Sequence, residues 1–496
     1  MTAFNWAVDG SIVGLYLLAT MIAGVMVRRY VGKVEDFLVA GREMNLYLGI
    51  ASLAATEFGI VTCMYSAESG YKYGFAGAFP GMAQFLAMLL VGWTGFCVKP
   101  LRDSGVITIP ELLDKRFGSR IRWATGVVIV LGGLLNMGVF LRVGGEFLMM
   151  VTGLGKMDWG IAVLDQHKLE ITMTILLVGV ATYTVLGGML SVLVTDFLQF
   201  VVMSIGLLAV TIMILVHFGW SRIVETVETH YGAAGFNPLL NDKLGWEYVV
   251  FQIMLNTAAV LTWQTSIARV LAAKDTATGM KVYTHTSFFF LCRWVIPGLW
   301  GIAALATLPT GVDSLQAMPR FLATFLPMGI MGILIAAMLA ADMSTDSSYM
   351  LTWGGVIYND ILAPFRRGRQ WSDRKGLFWN RSIVAVIGVF LLFYGLWYPL
   401  KGDLWSYLAV TGTIYLASIS TLLIACCYWP RANSWGAAAA IICGAVIPVA
   451  YLISEQLPFT QEYAARIGPS WAGVATYLIV GLAMVVGSLL KPESTK

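Results

Sequence analysis

The sequence predicts an all-α integral membrane protein with about thirteen transmembrane helices. Of its 496 residues, 58% are hydrophobic and only 12% are charged, and its mean hydropathy is +0.76. Apolar runs of about 20 residues, long enough to cross a bilayer, recur along the whole chain. The loops between them are short and leave no room for a soluble domain, so residues 1–496 are predicted to form one membrane domain.

Thirteen apolar runs define the predicted spans. They are 10–28, 46–71, 75–98, 122–152, 169–186, 190–217, 246–270, 280–309, 325–359, 378–398, 403–428, 433–453 and 470–490. With the N-terminus outside and the C-terminus in the cytoplasm, the inner loops, including 269–281, hold 22 of the 32 Lys and Arg residues and the outer segments hold 8. This excess of basic residues inside supports the orientation and predicts a plasma-membrane protein, with a bacterial inner membrane favoured.

Some basic residues at the ends of spans, such as Arg269, are counted with the adjoining loops, and the two remaining arginines, Arg142 and Arg293, fall inside predicted spans. A guanidinium at the centre of a membrane helix costs about 2.5 to 3.5 kcal/mol on insertion scales, so both arginines need an explanation. The lipid bilayer is the expected surrounding and no nucleic-acid partner is expected. The four histidines show no ligand spacing or arrangement with a nucleophile, so we predict no catalytic residues and no enzyme activity.

The stretch LAADMSTDSSYM (339–350) places hydroxyl groups along a membrane helix. At 100° per residue, one stripe contains Ala341, Ser344, Thr345 and Ser348, with Ser347 beside it. Oxygen ligands without imidazole or thiolate suit a hard monovalent cation. Ser and Thr also make ordinary hydrogen bonds between membrane helices, and the pattern leaves both interpretations open.

Asp342 and Asp346 point away from that stripe. We expect a solvated or ion-paired face for both. Asp196 is different, because it lies about two turns inside the helix that follows Gly187 and Gly188 in TYTVLGGMLSVLVTDFLQF (182–200). At such a depth an aspartate must be protonated, ion-paired or bound to a cation. No Lys or Arg lies near Asp196 in sequence, and a cation held by Asp196 and the later hydroxyls would satisfy both elements.

Polar residues interrupt two further spans. The first interruption, in 52–74, contains Thr56, Glu57, Gly59 and Thr62, and the second, in 251–275, contains Asn256, Thr257, Trp263, Gln264 and Thr265. Broken helices in corresponding places of two halves predict a binding site near the bilayer midplane. The general abundance of Gly and Thr in membrane helices would explain either interruption alone equally well.

Five motifs together resemble the sodium/solute symporter family, which includes sodium-coupled carriers of glucose, proline, pantothenate and sialic acid. They are SGYKYG, TIPELLDKRF, LGGMLSVLVTDFLQF, ARVLAAKD and LAADMSTDSS, and the resemblance covers about residues 10 to 450. It implies a leucine-transporter-type fold of two inverted five-helix repeats, 46–217 and 246–428. An extra helix at 10–28 would precede them and two more at 433–490 would follow. It also implies symport of a solute by alternating access, driven by a sodium gradient.

The resemblance also implies two sodium sites. The common site would use backbone carbonyls of Ala55, Phe58 and Ala341 with the hydroxyls of Ser344 and Thr345. A second site would use Asp196 with Ser344, Ser347 and Ser348. Because every position matches, two sodium ions per solute are expected.

For the solute, the resemblance places Thr62, Gln84, Asn256 and Arg293 around the cavity, near Thr56 and Glu57 on the first broken helix. Arg142 resembles an arginine that holds the carboxylate of sialic acid in one branch of the family. Either guanidinium could grip a carboxylate, which favours a sugar acid such as sialic acid over amino acids and monocarboxylates. Against this, Arg142 and Glu146 are four residues apart and can neutralise one another. Glu57 stands where relatives usually have Asn or Asp, and it can pair with an arginine.

Two other functions fit the same sequence. A proton-coupled carrier would use Asp196 or Glu57 as its titrating group. A membrane solute sensor could share the fold without transporting anything. The sequence leaves the oligomeric state open, a monomer included.

Overall fold

Helices make up nearly all of the protein in a computed structural model that describes residues 4–309, 311–362, 364–366, 371–397 and 403–491. The helices of the first half are α1 (Asp9–Val27), α2 (Val34–Val39), α3 (Leu46–Thr56), α4 (Ile60–Tyr73), α5 (Phe79–Thr94), α6 (Val98–Asp103), α7 (Ile109–Phe117), α8 (Ser119–Met137), α9 (Phe140–Thr152), α10 (Ala162–Gln166), α11 (Lys168–Phe218) and α12 (Trp220–Tyr231).

The second half continues in the same way. Its helices are α13 (Gly245–Thr262), α14 (Gln264–Ala272), α15 (Thr276–Leu305), α16 (Ser314–Phe325), α17 (Ile330–Val356), α18 (Asp373–Trp397), α19 (Leu404–Tyr428), α20 (Ser434–Gln456) and α21 (Gln461–Leu490). Each of the thirteen predicted spans coincides with helical residues, and ten helices of the described chain are long and apolar enough to cross a membrane. The count of thirteen spans stays a prediction. The C-terminal tail and part of the predicted inner loop 361–381 lie outside the described residues.

Helices α17 and α19 lie at the centre of the bundle. In each, 89% of the most apolar window is buried inside the protein, against 17% for α1, 39% for α20 and 33% for α21. Helix α17 packs against α11 and α3, and α15 packs against α3, α4 and α5. The hydroxyl-rich helix α17 is therefore an interior element, and the peripheral helices turn their apolar side chains outwards.

Both predicted helix interruptions are present. Helix α3 ends at Thr56 and α4 begins at Ile60, and α13 ends at Thr262 before α14 begins at Gln264. At Trp263 the backbone is extended, with a ψ of 115°. Backbone groups and helix ends are thus exposed inside the bundle at two places.

Helix α11 changes direction at Gly188, where the sequence predicts a turn between two spans. Its φ is 54° and its ψ is −148°, a backbone region that is essentially restricted to glycine. A Cβ atom at this position would lie 2.5 Å from the Phe37 ring. Glycine is therefore required both by the backbone and by the packing of α2.

The predicted topology is wrong at Arg269, which was assigned to the inner loop 269–281. Helix α14 continues to Ala272, and Arg269 is fully buried within it. The side chain therefore belongs to the interior of the bundle.

Candidate functional site

A cavity of about 80 Å³ lies beside the break between α3 and α4. Its lining includes the polar residues Glu57, Thr62, Gln84, Asn136, Asn256, Arg293 and Thr345, and the aromatic residues Tyr65, Trp263, Tyr349 and Trp405. Both broken helices contribute to it, as the sequence predicts. Polar groups set among aromatic rings form a site that can orient a small solute by hydrogen bonds and pack against its carbon skeleton.

Glu57 and Arg293 form a buried ion pair in the wall of this cavity. Arg293 Nη1 lies 3.4 Å from Glu57 Oε2 and donates to the Glu57 carbonyl at 2.5 Å. Arg293 Nη2 donates to Gln84 Oε1 at 2.9 Å. The expectation that Glu57 pairs with an arginine is confirmed, and the carboxylate also accepts from Thr265 and Ser266 of α14. The wall therefore links both helix breaks and has no net charge.

Arg142 lies apart from this cavity. It lines a larger cavity of about 1220 Å³, which also contains Lys72 and Asp403, on the side of the protein that the sequence predicts to be outside. Arg142 Nε donates to Glu146 Oε1 at 2.9 Å, and the two side chains are 30% and 45% exposed. In this structure Arg142 therefore forms an ion pair with Glu146, as its spacing in the sequence allows.

Three aromatic rings pack together at the small cavity, and two of them, Tyr65 and Trp405, line it. Trp405 lies 4.9 Å from Tyr65 and 4.8 Å from Trp294, measured between ring centroids, and Tyr65 lies 4.8 Å from Trp294. Beyond them, Lys72 of α4 forms an ion pair with Asp403, just before α19. Lys72 and Asp403 line the larger cavity, and Asp403 is two residues before Trp405, so this aromatic trio lies close to both cavities.

Thr345 joins the hydroxyl stripe of α17 to the first broken helix. Its Oγ1 donates to the Thr56 carbonyl at 2.9 Å and to the Ala341 carbonyl at 3.0 Å. A Cβ atom on Gly59 would lie 2.9 Å from the same hydroxyl, so only glycine allows this close approach. Thr345 also lines the small cavity, which places a predicted sodium ligand in the wall of the predicted solute site.

Asp196 lies in a buried polar cluster with another part of the stripe. Its Oδ1 accepts from Ser344 Oγ at 2.5 Å. Its Oδ2 accepts from Ser52 Oγ at 2.5 Å and from Arg269 Nη2 at 3.0 Å. The arginine was missing from the sequence prediction, because it lies 73 residues from Asp196 and was assigned to a loop. The apolar run around ARVLAAKD, which continues past Arg269, is the signal that could have placed it inside a helix.

Two other predicted site residues lie elsewhere than expected. The Thr56 hydroxyl points into the Asp196 cluster, where it bonds to Arg269 at 2.6 Å and Ser348 at 2.9 Å, and it does not line the small cavity. Ser347 Oγ donates to the Ser344 carbonyl at 3.1 Å, and no hydrogen bond between Ser347 and Asp196 is present. The stripe therefore divides into a part at Thr345 and a part at Ser344 and Ser348.

The expectation of a solvated or ion-paired face for Asp342 and Asp346 is wrong. The two residues are only 2% and 1% exposed, and neither forms an ion pair with any described residue. Neither carboxylate oxygen of Asp346 has a hydrogen-bond partner among the described residues. Helix α17 is surrounded by other helices on this face too, which its sequence period did not reveal.

Similarity to known proteins supports the same kind of molecule. The chain is 26% identical to a sodium/myo-inositol cotransporter of Mus musculus, covering 100% of this chain and 75% of the relative. It is also 26% identical to sodium/glucose cotransporter 4 of Danio rerio, covering 98% and 78%. These relatives are transporters and not enzymes.

Solved structures show the fold. A Na⁺-coupled sialic acid symporter in a substrate-bound, outward-open state matches with a TM-score of 0.79 at 19% identity, covering 98% of both chains. MhsT in complex with L-phenylalanine matches with a TM-score of 0.54 at 12% identity, covering 90% of this chain and 98% of that one. The protein therefore has an all-helical membrane fold of the leucine-transporter type.

The family model described as "Sodium:solute symporter family" matches residues 37–444, which include both broken helices, Asp196 and the hydroxyl stripe. Sodium is thus the coupling ion of this protein, which binds sodium and a solute as its partners. With this match over most of its length, the chain belongs to the sodium:solute symporter family.

Proposed function

We propose that this protein imports a small organic solute through the cavity beside the α3–α4 break, together with sodium. The observation that carries the proposal is the position of Thr345, which lines the solute cavity and also contacts the end of α3. An ion bound there and a solute in the cavity would both stabilise the same arrangement of α3, α4 and α17. Such shared stabilisation is the requirement for coupled binding.

The first sodium site would be formed by the carbonyls of Ala55, Phe58 and Ala341 with the hydroxyls of Ser344 and Thr345. The Thr345 hydroxyl already lies against two carbonyls, one from α3 and one from α17. A cation among these oxygens would join the broken helix to α17. Release of this cation would allow the broken helix α3–α4 to move relative to α17.

For movement, we propose that 46–217 and 246–428 are inverted repeats that alternate the exposure of the cavity. The wide cavity on one side and the small one beneath the aromatic trio support an arrangement that is open towards the predicted outside. We keep the predicted orientation, with the N-terminus outside in a bacterial inner membrane.

We place neutral polyhydroxylated solutes, such as sugars and polyols, ahead of the sugar acids that the sequence alone favours. Nη1 and Nη2 of Arg293 already have partners in Glu57 and Gln84, and Arg142 lies outside the cavity with Glu146. A carboxylate in the cavity would meet a wall that is already neutral and would lie near Glu57. The names of the myo-inositol and glucose relatives support this order.

A sugar acid is the second candidate. The Arg142–Glu146 pair is partly exposed, and exposed ion pairs are worth little, about 0 to 1 kcal/mol. Arg142 could therefore exchange Glu146 for a carboxylate on the solute. The name of the sialic acid symporter with the same fold agrees with this alternative.

Uptake into proteoliposomes tests the proposal. Purified protein would be supplied with radiolabelled myo-inositol, glucose, sialic acid and proline under an inward sodium gradient or an equal potassium gradient. Sodium-dependent uptake of myo-inositol or glucose is expected. Uptake of sialic acid alone would select the second candidate, and its loss in Arg142→Gln would identify the arginine responsible. Uptake that follows a pH gradient and ignores sodium would contradict the proposal.

A further inference from the structure

Two cysteines from distant parts of the chain meet at one end of the bundle. Cys97 lies between α5 and α6 and is 0% exposed, while Cys427 lies one residue before the end of α19 and is partly exposed. A side-chain hydrogen bond joins their thiols. This end of the bundle is predicted to face the cytoplasm, where thiols are kept reduced and a disulfide is usually transient or redox-sensing.

The backbone of Cys97 is strained. Its φ is 57° and its ψ is −36°, angles that glycine adopts easily and that other residues adopt only where their surroundings hold them. The Cys97 N–H donates to the Tyr428 hydroxyl at 3.0 Å, and the Tyr428 ring stacks on Phe96 with the centroids 5.0 Å apart. These contacts hold the Cys97 thiol against the end of α19. A residue that only filled space would not need this conformation.

Cys427 is the thiol that an oxidant reaches first. Cysteines that react with peroxides are typically accessible, lie beside a positive charge and have a second cysteine next to them. Arg116 of α7 donates to the carbonyls of Cys426 at 2.7 Å and Trp429 at 2.5 Å, and its charge acts on Cys427. Cys97, which is buried, is in the position of the second cysteine.

We propose that Cys97 and Cys427 form a peroxide-sensitive site, at which a reversible disulfide joins the cytoplasmic ends of α5 and α19. The oxidant is hydrogen peroxide or another small peroxide. Neither cysteine is part of the five sequence motifs described above, and neither lines the solute cavity. The site is therefore separate from the residues proposed to bind sodium and solute.

The reaction balances with peroxide as the only co-reactant. The Cys427 sulfur attacks one peroxide oxygen, the O–O bond breaks, and a sulfenic acid and one molecule of water result. The Cys97 sulfur then attacks the Cys427 sulfur, the S–O bond breaks, and a second water leaves with the proton of Cys97. Two thiols thus lose two electrons and two protons to peroxide, and a dithiol reductant reverses the change.

The disulfide would connect two helices that line the solute cavity. Gln84 of α5 and Leu408 and Gly412 of α19 are lining residues, and α13 packs against both helices. Release of solute to the cytoplasm requires the inner ends of such helices to separate, so the oxidised protein would be held closed on that side. This consequence rests on the proposed function, whereas formation of the disulfide does not.

Peptide mapping tests the site without any transport. The purified full-length protein would be treated with hydrogen peroxide, its remaining thiols blocked with N-ethylmaleimide, and the chain digested without reductant for mass spectrometry. A linked Cys97–Cys427 peptide pair is expected, with loss of two of the six thiols and their return on addition of dithiothreitol. Six unreacted thiols, an unlinked sulfinic acid at Cys427 or a disulfide between other cysteines would each overturn the proposal.

Cys426→Ala is the matched control, because it removes the neighbouring thiol, which is also partly exposed. It should still form the disulfide, whereas Cys97→Ala and Cys427→Ala should not. If Cys97→Ala does not fold, Cys427→Ala carries the decision, since its side chain is partly exposed. Loss of the linked peptide in Cys426→Ala would show that the pair is wrongly assigned.

Uptake of radiolabelled myo-inositol into proteoliposomes tests the consequence for transport. Peroxide should abolish sodium-driven uptake by the wild type, dithiothreitol should restore it, and Cys427→Ala should continue to transport in peroxide. Uptake that persists after complete cross-linking would overturn the closure of the inner side. Absence of uptake by the reduced wild type would contradict the proposed function, while the linked peptide would still decide the site.

Discussion

Among the described residues around the site, Glu57–Arg293 and Asp196–Arg269 form buried ion pairs. The partners are 236 and 73 residues apart in the chain. Glu57 lies in the break between α3 and α4, and its arginine is on α15, while Asp196 is on α11 and its arginine is on α14. Removing one partner of a buried pair leaves an uncompensated charge, while removing both can be close to neutral. Such pairs therefore hold the broken helices in place only as long as both members are present.

We expect Arg293→Gln alone to lower the free energy of unfolding by about 3 to 5 kcal/mol, because it leaves the Glu57 carboxylate unpaired in the interior. The double variant Glu57→Gln with Arg293→Gln should be clearly less destabilised. Thermal unfolding of both single variants and the double variant would give the interaction energy as a double-mutant cycle. Additive losses of stability would show that the pair is not an energetic unit.

Thr345 is expected to determine how the stability of the protein responds to sodium. A ligand stabilises a folded protein by about 2.7 kcal/mol at a concentration 100 times its dissociation constant. Sodium should therefore raise the melting temperature of the wild type, and Thr345→Ala should abolish that rise, because the hydroxyl between α3 and α17 is lost.

Thr352→Ala is the matched control, since Thr352 is on the same helix and its hydroxyl donates to the Ser348 carbonyl of that helix. It should respond to sodium like the wild type. An unchanged sodium response in Thr345→Ala would place the ion elsewhere.

At the scale of helices, the break in α11 depends on one residue. Gly188 has backbone angles that other residues adopt only at a cost of about 1 to 3 kcal/mol, and an added Cβ would also collide with Phe37. Gly188→Ala should lower the melting temperature strongly. Gly179→Ala is a fair control on the same helix, because its Cβ would meet nothing within 4 Å. Equal melting temperatures of the two variants would contradict this account of the turn.

For the molecule as a whole, we expect the aromatic trio to be the barrier between the proposed solute cavity and the larger cavity. Trp405 makes two aromatic contacts, with Tyr65 and Trp294, and each such pair is worth about 0.5 to 1.5 kcal/mol. We expect Trp405→Ala to release bound solute about 5 to 150 times faster, the rate ratio for about 1 to 3 kcal/mol.

The measurement is the dissociation rate of a radiolabelled solute after dilution. Trp93→Ala should leave the rate unchanged, because Trp93 is 75% exposed on the surface of α5 and lies in neither cavity. Equal rates for the wild type and Trp405→Ala would show that the trio is not the barrier to solute release.

By itself, the sequence determined the membrane-helical fold, the two helix interruptions and the position of the hydroxyl stripe. These features depend on residues that are neighbours in the chain. The length of an apolar run must match the thickness of the bilayer core, and a polar break within a span is visible in the same short stretch. It also determined the family, since the motifs that resemble it lie within short stretches.

Only the tertiary structure decided which side chains meet. Arg269 was assigned to a loop and is the partner of Asp196, while Asp342 and Asp346 were expected on an exposed or ion-paired face and are buried without such a pair. Helical periodicity gives the direction of a side chain relative to its own helix, but the charge that it meets there depends on how distant helices pack. The sequence near Asp196 therefore could not show that Arg269 is its partner.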